Sequence, residues 1–232
     1  MPLVVHVLPD HEAVSQAVTG RLIAFAREFP AGTYALPSGN TPVRMYELLA
    51  EAVRAETVHF GWANVFALDE YRGLGPEDPR SFAAFFKRHV FGPLGVAPGQ
   101  GHVLNGLAAD VEAECARYED EIAEAGGLNL TLLGLGANGH IAFNEPAATL
   151  TAHTHLSPLG PVAAQVAPEG LTMGVGTLLS APKVLLMATG ESKAEAVAHM
   201  LSGAIDPRWP ASVLQLHPDV DVFLDKAAAS KL

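Results

Sequence analysis

Leu133-Gly134-Leu135-Gly136-Ala137-Asn138-Gly139-His140-Ile141-Ala142-Phe143-Asn144-Glu145-Pro146 is the stretch on which the reading of this chain turns. An apolar run from Leu128 to Leu135 breaks into glycines at 134, 136 and 139 and then presents His140 and Glu145 within a few residues of each other. An apolar strand that ends in glycines and a titratable pair is how an open α/β sheet builds a site at its carboxyl edge. Asn138 stands two residues before the histidine, at a position where a carboxylate would look natural.

Outward from this stretch, short β-branched and apolar runs alternate with longer segments of helical period. Strands are predicted at Val4–Leu8, Thr33–Leu36, Asn64–Leu68 (running into Asp69-Glu70-Tyr71), His102–Leu104, Leu128–Leu135, Val184–Thr189 and Val220–Leu224. Helices are predicted at Asp10–Glu28, Thr41–Ala55, Ser81–Val90, Asp110–Ala125, Leu171–Ser180 and Ser192–Ser202. This alternation implies βαβ units with right-handed crossovers, hence a mostly parallel sheet covered on both faces. No Pro/Ser-rich linker or internal repeat interrupts it, so one domain over residues 1–232 is the expectation.

Composition bounds the function. The 232 residues are 49% hydrophobic and 17% charged, enough apolar content for a sizeable core. A net charge of −11 with only 14 basic residues argues against nucleic acid, because phosphate neutralisation needs clustered Lys and Arg. The single cysteine, Cys115, excludes an intrachain disulfide framework and a multi-cysteine zinc site, and it reads as an inert thiol. The ten histidines show no pairing at metal-ligand spacing with an acid, so no metal is expected. Gly134-Leu135-Gly136 lacks the helix-opening third glycine of a dinucleotide site, so no nucleotide cofactor is expected either. The first residues lack a secretion signal and no run approaches roughly 18 apolar residues, so a cytoplasmic protein without a membrane partner is expected.

In a parallel sheet the residues just after each strand gather on one edge. Four such places carry unusual chemistry. Ser38-Gly39-Asn40-Thr41 leads into a helix, where free amides and two hydroxyls suit an anion such as phosphate, although Thr41 alone could be an ordinary N-cap. Asp69-Glu70 puts two acids at the end of an apolar run, and strand alternation lets only one of them face the site. His140 can give or take a proton near neutral pH, with Glu145 placed to orient it. Lys193 falls in the first turn of a helix, where a cation is unfavourable unless it meets an anionic ligand. Together these make an anion pocket, a carboxylate base and a histidine–glutamate pair.

The residues resemble a known family, the glucosamine-6-phosphate deaminases (isomerases) and their relatives the 6-phosphogluconolactonases. The likeness runs through LPSGNTP at 36–42, FALDEY at 66–71, SFAAFF at 81–86, GLGANGHIAFNEP at 134–146, LTMGVGTLL at 171–179, TGESKAEAV at 189–197 and SVLQLHPDV at 212–220. GHIAFNEP favours the deaminase branch. The resemblance implies a Rossmann-like three-layer α/β fold. It implies that Asp69 moves a proton between C2 and C1 of an open-chain sugar. His140 would open the pyranose ring, with Glu145 and Asn138 holding it. Ser38, Gly39, Asn40, Thr41 and Lys193 would cradle the substrate phosphate. The reaction would turn glucosamine 6-phosphate, or a related hexosamine 6-phosphate, and water into fructose 6-phosphate, or the matching ketose phosphate, and ammonia, with no cofactor.

The chain departs from that family between Leu150 and Gly170, where the expected lid is short and carries no arginine for the phosphate. His153 or His155 are the cations nearest in sequence that could stand in, a plain loop role being the other reading. Lactone hydrolysis, with His140 activating water and Asp69 dispensable, and a non-catalytic sugar-phosphate-binding module are the competing readings. The sequence leaves the state of assembly, monomer or homo-oligomer, open.

Overall fold

A computed structural model describes residues 3–232. Its strands are β1 (Leu3–Leu8), β2 (Thr33–Leu36), β3 (Asn64–Ala67), β4 (Asp69–Tyr71), β5 (Gly101–His102), β6 (Leu130–Leu133), β7 (His155–Pro158), β8 (Glu169–Thr172), β9 (Lys183–Ala188) and β10 (Val220–Asp225). Its helices are α1 (His11–Glu28), α2 (Val43–Arg54), α3 (Phe82–Phe86), α4 (Gly92–Leu94), α5 (Val111–Glu124), α6 (Val175–Leu178) and α7 (Ala194–Ser202).

Seven strands form one parallel sheet in the order β1-β10-β9-β6-β2-β3-β5. Strand alternation divides the core in two. From β6, Leu130 and Leu132 face α1 and α2 while Leu133 faces the other way; from β9, Leu185 and Met187 divide from Val184 and Leu186 in the same manner. Tyr46 of α2 and Val18 of α1 fill one layer, Tyr118 of α5 and Met200 of α7 the other. The expected three-layer α/β fold is what the chain adopts, and the near-continuous apolar strands are what a sheet buried on both faces requires.

Helix starts follow their side-chain caps. Asp10, Ser81 and Asp110 accept hydrogen bonds from the amides of Ala13, Ala84 and Ala113, which begins α1, α3 and α5. The predicted helix Ser81–Val90 is α3 followed by one wider π turn, Lys87–Phe91, before α4.

Two expectations fail. Leu171–Ser180 is not one helix: its start belongs to β8, and only Val175–Leu178 is helical. Gly170 and Gly174 are spacing residues, because a Cβ at 170 would strike the Phe143 ring and one at 174 the backbone of Ala152 and His153. The run Asn64–Tyr71 is not one strand either. It breaks at Leu68, and β4 leaves the main sheet to pair antiparallel with β8, which pairs with β7. The resulting second sheet was not expected, nor was β7, whose polar residues and Pro158 carry little strand signal. It takes in both the Asp69 strand and the start of the short lid.

Candidate active site

Chain order and strand order part company between β2 and β6. From β2 the chain progresses to β3 and β5 on one side, and from β6 to β9 and β10 on the other. At such a switch point the loops diverge and leave a crevice at the carboxyl ends. The turn Ser38–Thr41 leaves β2 and the glycine–histidine loop leaves β6, on either side of that crevice. Asp69 follows β3 and Lys193 follows β9, so the four predicted segments come from four consecutive strands, β9-β6-β2-β3.

At β2, Gly39 has a φ of 97°, a conformation side chains resist, with open space around it. The residue before α2 is Pro42, and no side chain caps this helix, so the N-cap role open to Thr41 is not taken. The first turn of α2 therefore keeps amides free for an anion. His11, at the start of α1, lies with Nε2 2.9 Å from the Thr41 carbonyl and backs this turn, a contact the sequence did not reveal.

Asp69 is 7% exposed, and the Ser38 hydroxyl approaches its Oδ1 at 3.5 Å. Burial first, and the neighbouring Glu70 charge second, push its carboxyl up to about 8. Glu70 faces away, 1% exposed, and accepts the amides of Tyr71, Phe82 and Ala83 at 2.7–2.9 Å. It thus ties β4 to the N-terminus of α3, where an anion is favoured. Burial still raises its carboxyl above the usual range despite those amides. Strand alternation sends the two acids opposite ways, Asp69 toward Ser38 and Glu70 toward α3.

In the loop after β6, Gly136 N–H donates to the His140 carbonyl at 2.9 Å, closing a tight turn. Gly136 must be glycine, because a Cβ would overlap the His140 imidazole. Gly139 has a φ of 84° and lies on the Trp209 ring, a support the sequence gave no sign of. Asn138 Nδ2 donates to Glu145 Oε2 at 2.8 Å, and the His140 amide donates back to Asn138 Oδ1 at 3.2 Å. The Gly160 amide, from the lid, donates to Glu145 Oε1 at 3.1 Å. His140 Nδ1 stands 3.5 Å from that same oxygen, too long for a well-formed hydrogen bond, and Nδ1 is buried without another partner. Burial alone would raise the Glu145 carboxyl, but His140, Asn138 and Gly160 together hold it below the usual range.

Lys193 ends the short 3₁₀ turn Glu191–Lys193 that opens α7. Partial burial lowers its ammonium below the ordinary lysine range, and no carboxylate pairs with it among the described residues. Gly190, with a φ of 91°, is pinned by both oxygens of Asp225 at 3.0 Å, so the last strand sets the turn that presents Lys193.

The lid histidines go elsewhere. His153 is 81% exposed with Nδ1 3.7 Å from Glu119, and the His155 ring turns back to the His153 carbonyl at 2.8 Å. Both line a surface groove of about 560 Å³ with Cys115 and Glu119, on the α5 side of the lid. Burial holds the Cys115 thiol up, which suits an inert role. No three His, Cys, Asp or Glu side chains converge to hold a metal ion among the described residues, and no helix there is long and apolar enough to cross a membrane.

Known proteins share this arrangement of strands and loops. Residues 9–222 match the family model described as glucosamine-6-phosphate isomerases/6-phosphogluconolactonase. A glucosamine-6-phosphate deaminase of Rhodopirellula baltica is 44% identical across 98% of this chain and 95% of its own. One of Alkaliphilus oremlandii is 39% identical across 99% and 100%. The solved structure of a monomeric glucosamine-6-phosphate deaminase superposes with a TM-score of 0.93 at 35% identity, covering all of both chains. A 6-phosphogluconolactonase from Leishmania guyanensis reaches 0.83 at 21% identity, a likeness of fold. The chain belongs to the glucosamine-6-phosphate isomerase/6-phosphogluconolactonase family.

Proposed function

We propose that this protein is a deaminating aldose–ketose isomerase that converts glucosamine 6-phosphate, or a closely related hexosamine 6-phosphate, and water to the ketose phosphate and ammonia. The observation that supports this reading is two separate proton-handling groups placed just after the strands on either side of β2. One is a buried carboxyl, Asp69, raised to about 8. The other is the Asn138–Glu145–His140 unit.

The phosphate sits on the free amides of α2, the Ser38 and Thr41 hydroxyls and Lys193, which anchors the sugar. His140 takes the proton from the anomeric hydroxyl and returns one to the ring oxygen, opening the pyranose. Glu145 stabilises the imidazolium and Asn138 holds Glu145 in place. Asp69 then removes the C2 proton and delivers it to C1. Desolvation strengthens such a base once it is ionised, and an ammonium on the substrate's C2 offsets the repulsion from Glu70. Water adds at C2 as ammonia leaves, and no cofactor is required. The substrate's charge keeps it inside a membrane-bounded compartment, and the reading accordingly places the protein in the cytoplasm.

Lactone hydrolysis asks only for an activated water and has no use for a carbon-acid base. An ammonia-release assay over glucosamine and galactosamine 6-phosphates, run beside a lactonase assay, separates the two. Asp69→Asn is expected to lower ammonia release by about 10²–10⁴-fold while phosphate binding persists. Intact turnover in that variant overturns the reading, and binding without turnover by the wild type favours a non-catalytic module.

A further inference from the structure

The short lid reaches the crevice through one backbone group. Gly160 lies in the turn between β7 and the 3₁₀ turn Ala163–Gln165, and its N–H meets Glu145 Oε1 at 3.1 Å. Asn138 holds Glu145 Oε2 at 2.8 Å, so the carboxylate turns its other oxygen, Oε1, toward both the lid and His140. His140 Nδ1 aims at Oε1 from 3.5 Å, buried and unpartnered. Two donors thus address one oxygen, and the lid has the shorter approach.

Glycine allows that close approach. A Cβ at 160 would lie 2.9–3.1 Å from the carboxylate atoms of Glu145, so a side chain there pushes the carboxylate and the amide apart. The turn is lightly held. Pro161 is exposed, Val162 is 82% exposed, and the flanking ties are the backbone bonds of Leu159 to Pro168 and Ala164 to Gly160. A segment with so little buried surface can move at small cost. The buried Nδ1 has the converse need, since an unpaired buried polar atom favours any state that pairs it.

We propose that the Gly160 amide is a positioning group for Glu145: while the lid turn is seated it draws Oε1 toward itself and holds it 3.5 Å from His140 Nδ1, and its release lets that oxygen close on Nδ1. The lid of this chain then governs how Glu145 engages His140, a task different from supplying a phosphate ligand. His140 is the titratable side chain facing Glu145 among the described residues, while Asn138 and Gly160 contribute neutral amides. The inference rests on reading His140 and Glu145 as the ring-opening pair.

Proton–nitrogen NMR of the full chain tests it without turnover. In Glu145→Gln the Gly160 amide proton is expected to move upfield, because a carboxylate acceptor has become a neutral one. In Gly160→Ala the His140 Nδ1 proton is expected to move downfield as it takes the freed oxygen, and the pH profile of kcat to shift. Val162→Ser, at the exposed lid tip, should leave both unchanged. A Gly160 amide that ignores Glu145→Gln overturns the proposal, even if Gly160→Ala does not fold. So does a folded Gly160→Ala whose His140 resonance and pH profile match the wild type. Absence of ammonia release from the wild type would instead strike the proposed reaction and leave the two resonance shifts to be read on their own.

Discussion

Asp69 and Glu70 are adjacent in the chain and opposite in use. Glu70 spends both oxygens on three backbone amides, a structural role at the head of α3. Asp69 is buried with one long contact to a hydroxyl. Its carboxyl is raised to about 8, so the native state prefers it neutral. Such a group supports folding fully below its unfolded value near 3.9, and that support is lost as pH rises through the folded value. Asp69→Asn, which cannot ionise, should therefore stabilise the fold by about 1–3 kcal/mol at pH 8 and by little at pH 4. Urea melts at the two pH values check the difference; an equal gain at both would contradict it. Asn138 makes the opposite case. Its amide nitrogen donates to Glu145 at 2.8 Å, and Asn138→Asp would set two carboxylates at that distance, able to share one proton. The Glu145 carboxyl, now held low, is expected to rise in that variant, read by carbon-13 NMR titration.

Within elements, local strain lies beside the chemistry. Ala142, two residues after His140, has a φ of 48°, left-handed backbone that a residue with a Cβ adopts at a cost. Ala142→Gly should relieve that strain and stabilise the protein by about 1 kcal/mol in denaturant melts, the reverse of the usual glycine penalty. A loss of similar size would mean that the Cβ contributes more in packing than the backbone costs. The break at Leu68 is a second case. Sequence alternation reads Asn64–Tyr71 as one strand, yet the Leu68 carbonyl pairs with Met173 N–H and the chain passes into the second sheet. Nothing local signals that change of partner, because β3 and β4 are extended segments separated by a single residue, Leu68. The failed helix over Leu171–Ser180 has the same cause: β8 is specified by its pairing with β4, some hundred residues away in sequence.

For the whole molecule, the proposed anion cradle draws on two strands that are not neighbours, β2 and β9, with β6 between them. A ligand bridging them binds only the folded chain. Fructose 6-phosphate at 100 times its Kd should therefore add about 2.7 kcal/mol to stability. Lys193→Ala should weaken that thermal shift, while an unchanged shift would place the phosphate elsewhere.

Sequence by itself determined the layer architecture, since the alternation of apolar runs with helical periods admits few other solutions. It also determined the chemical inventory, the glycines, histidine and acids that follow the strands. Tertiary structure decided what those groups touch. That Asn138 grips Glu145, that Asp225 sets the Lys193 turn, that His11 backs Thr41 and that Gly160 reaches Glu145 from the lid are all contacts between segments distant or irregular in the chain. Periodicity reports which face of an element is buried. It carries no information on which loop will lie against which, because loop contacts are set by the order in which strands join the sheet.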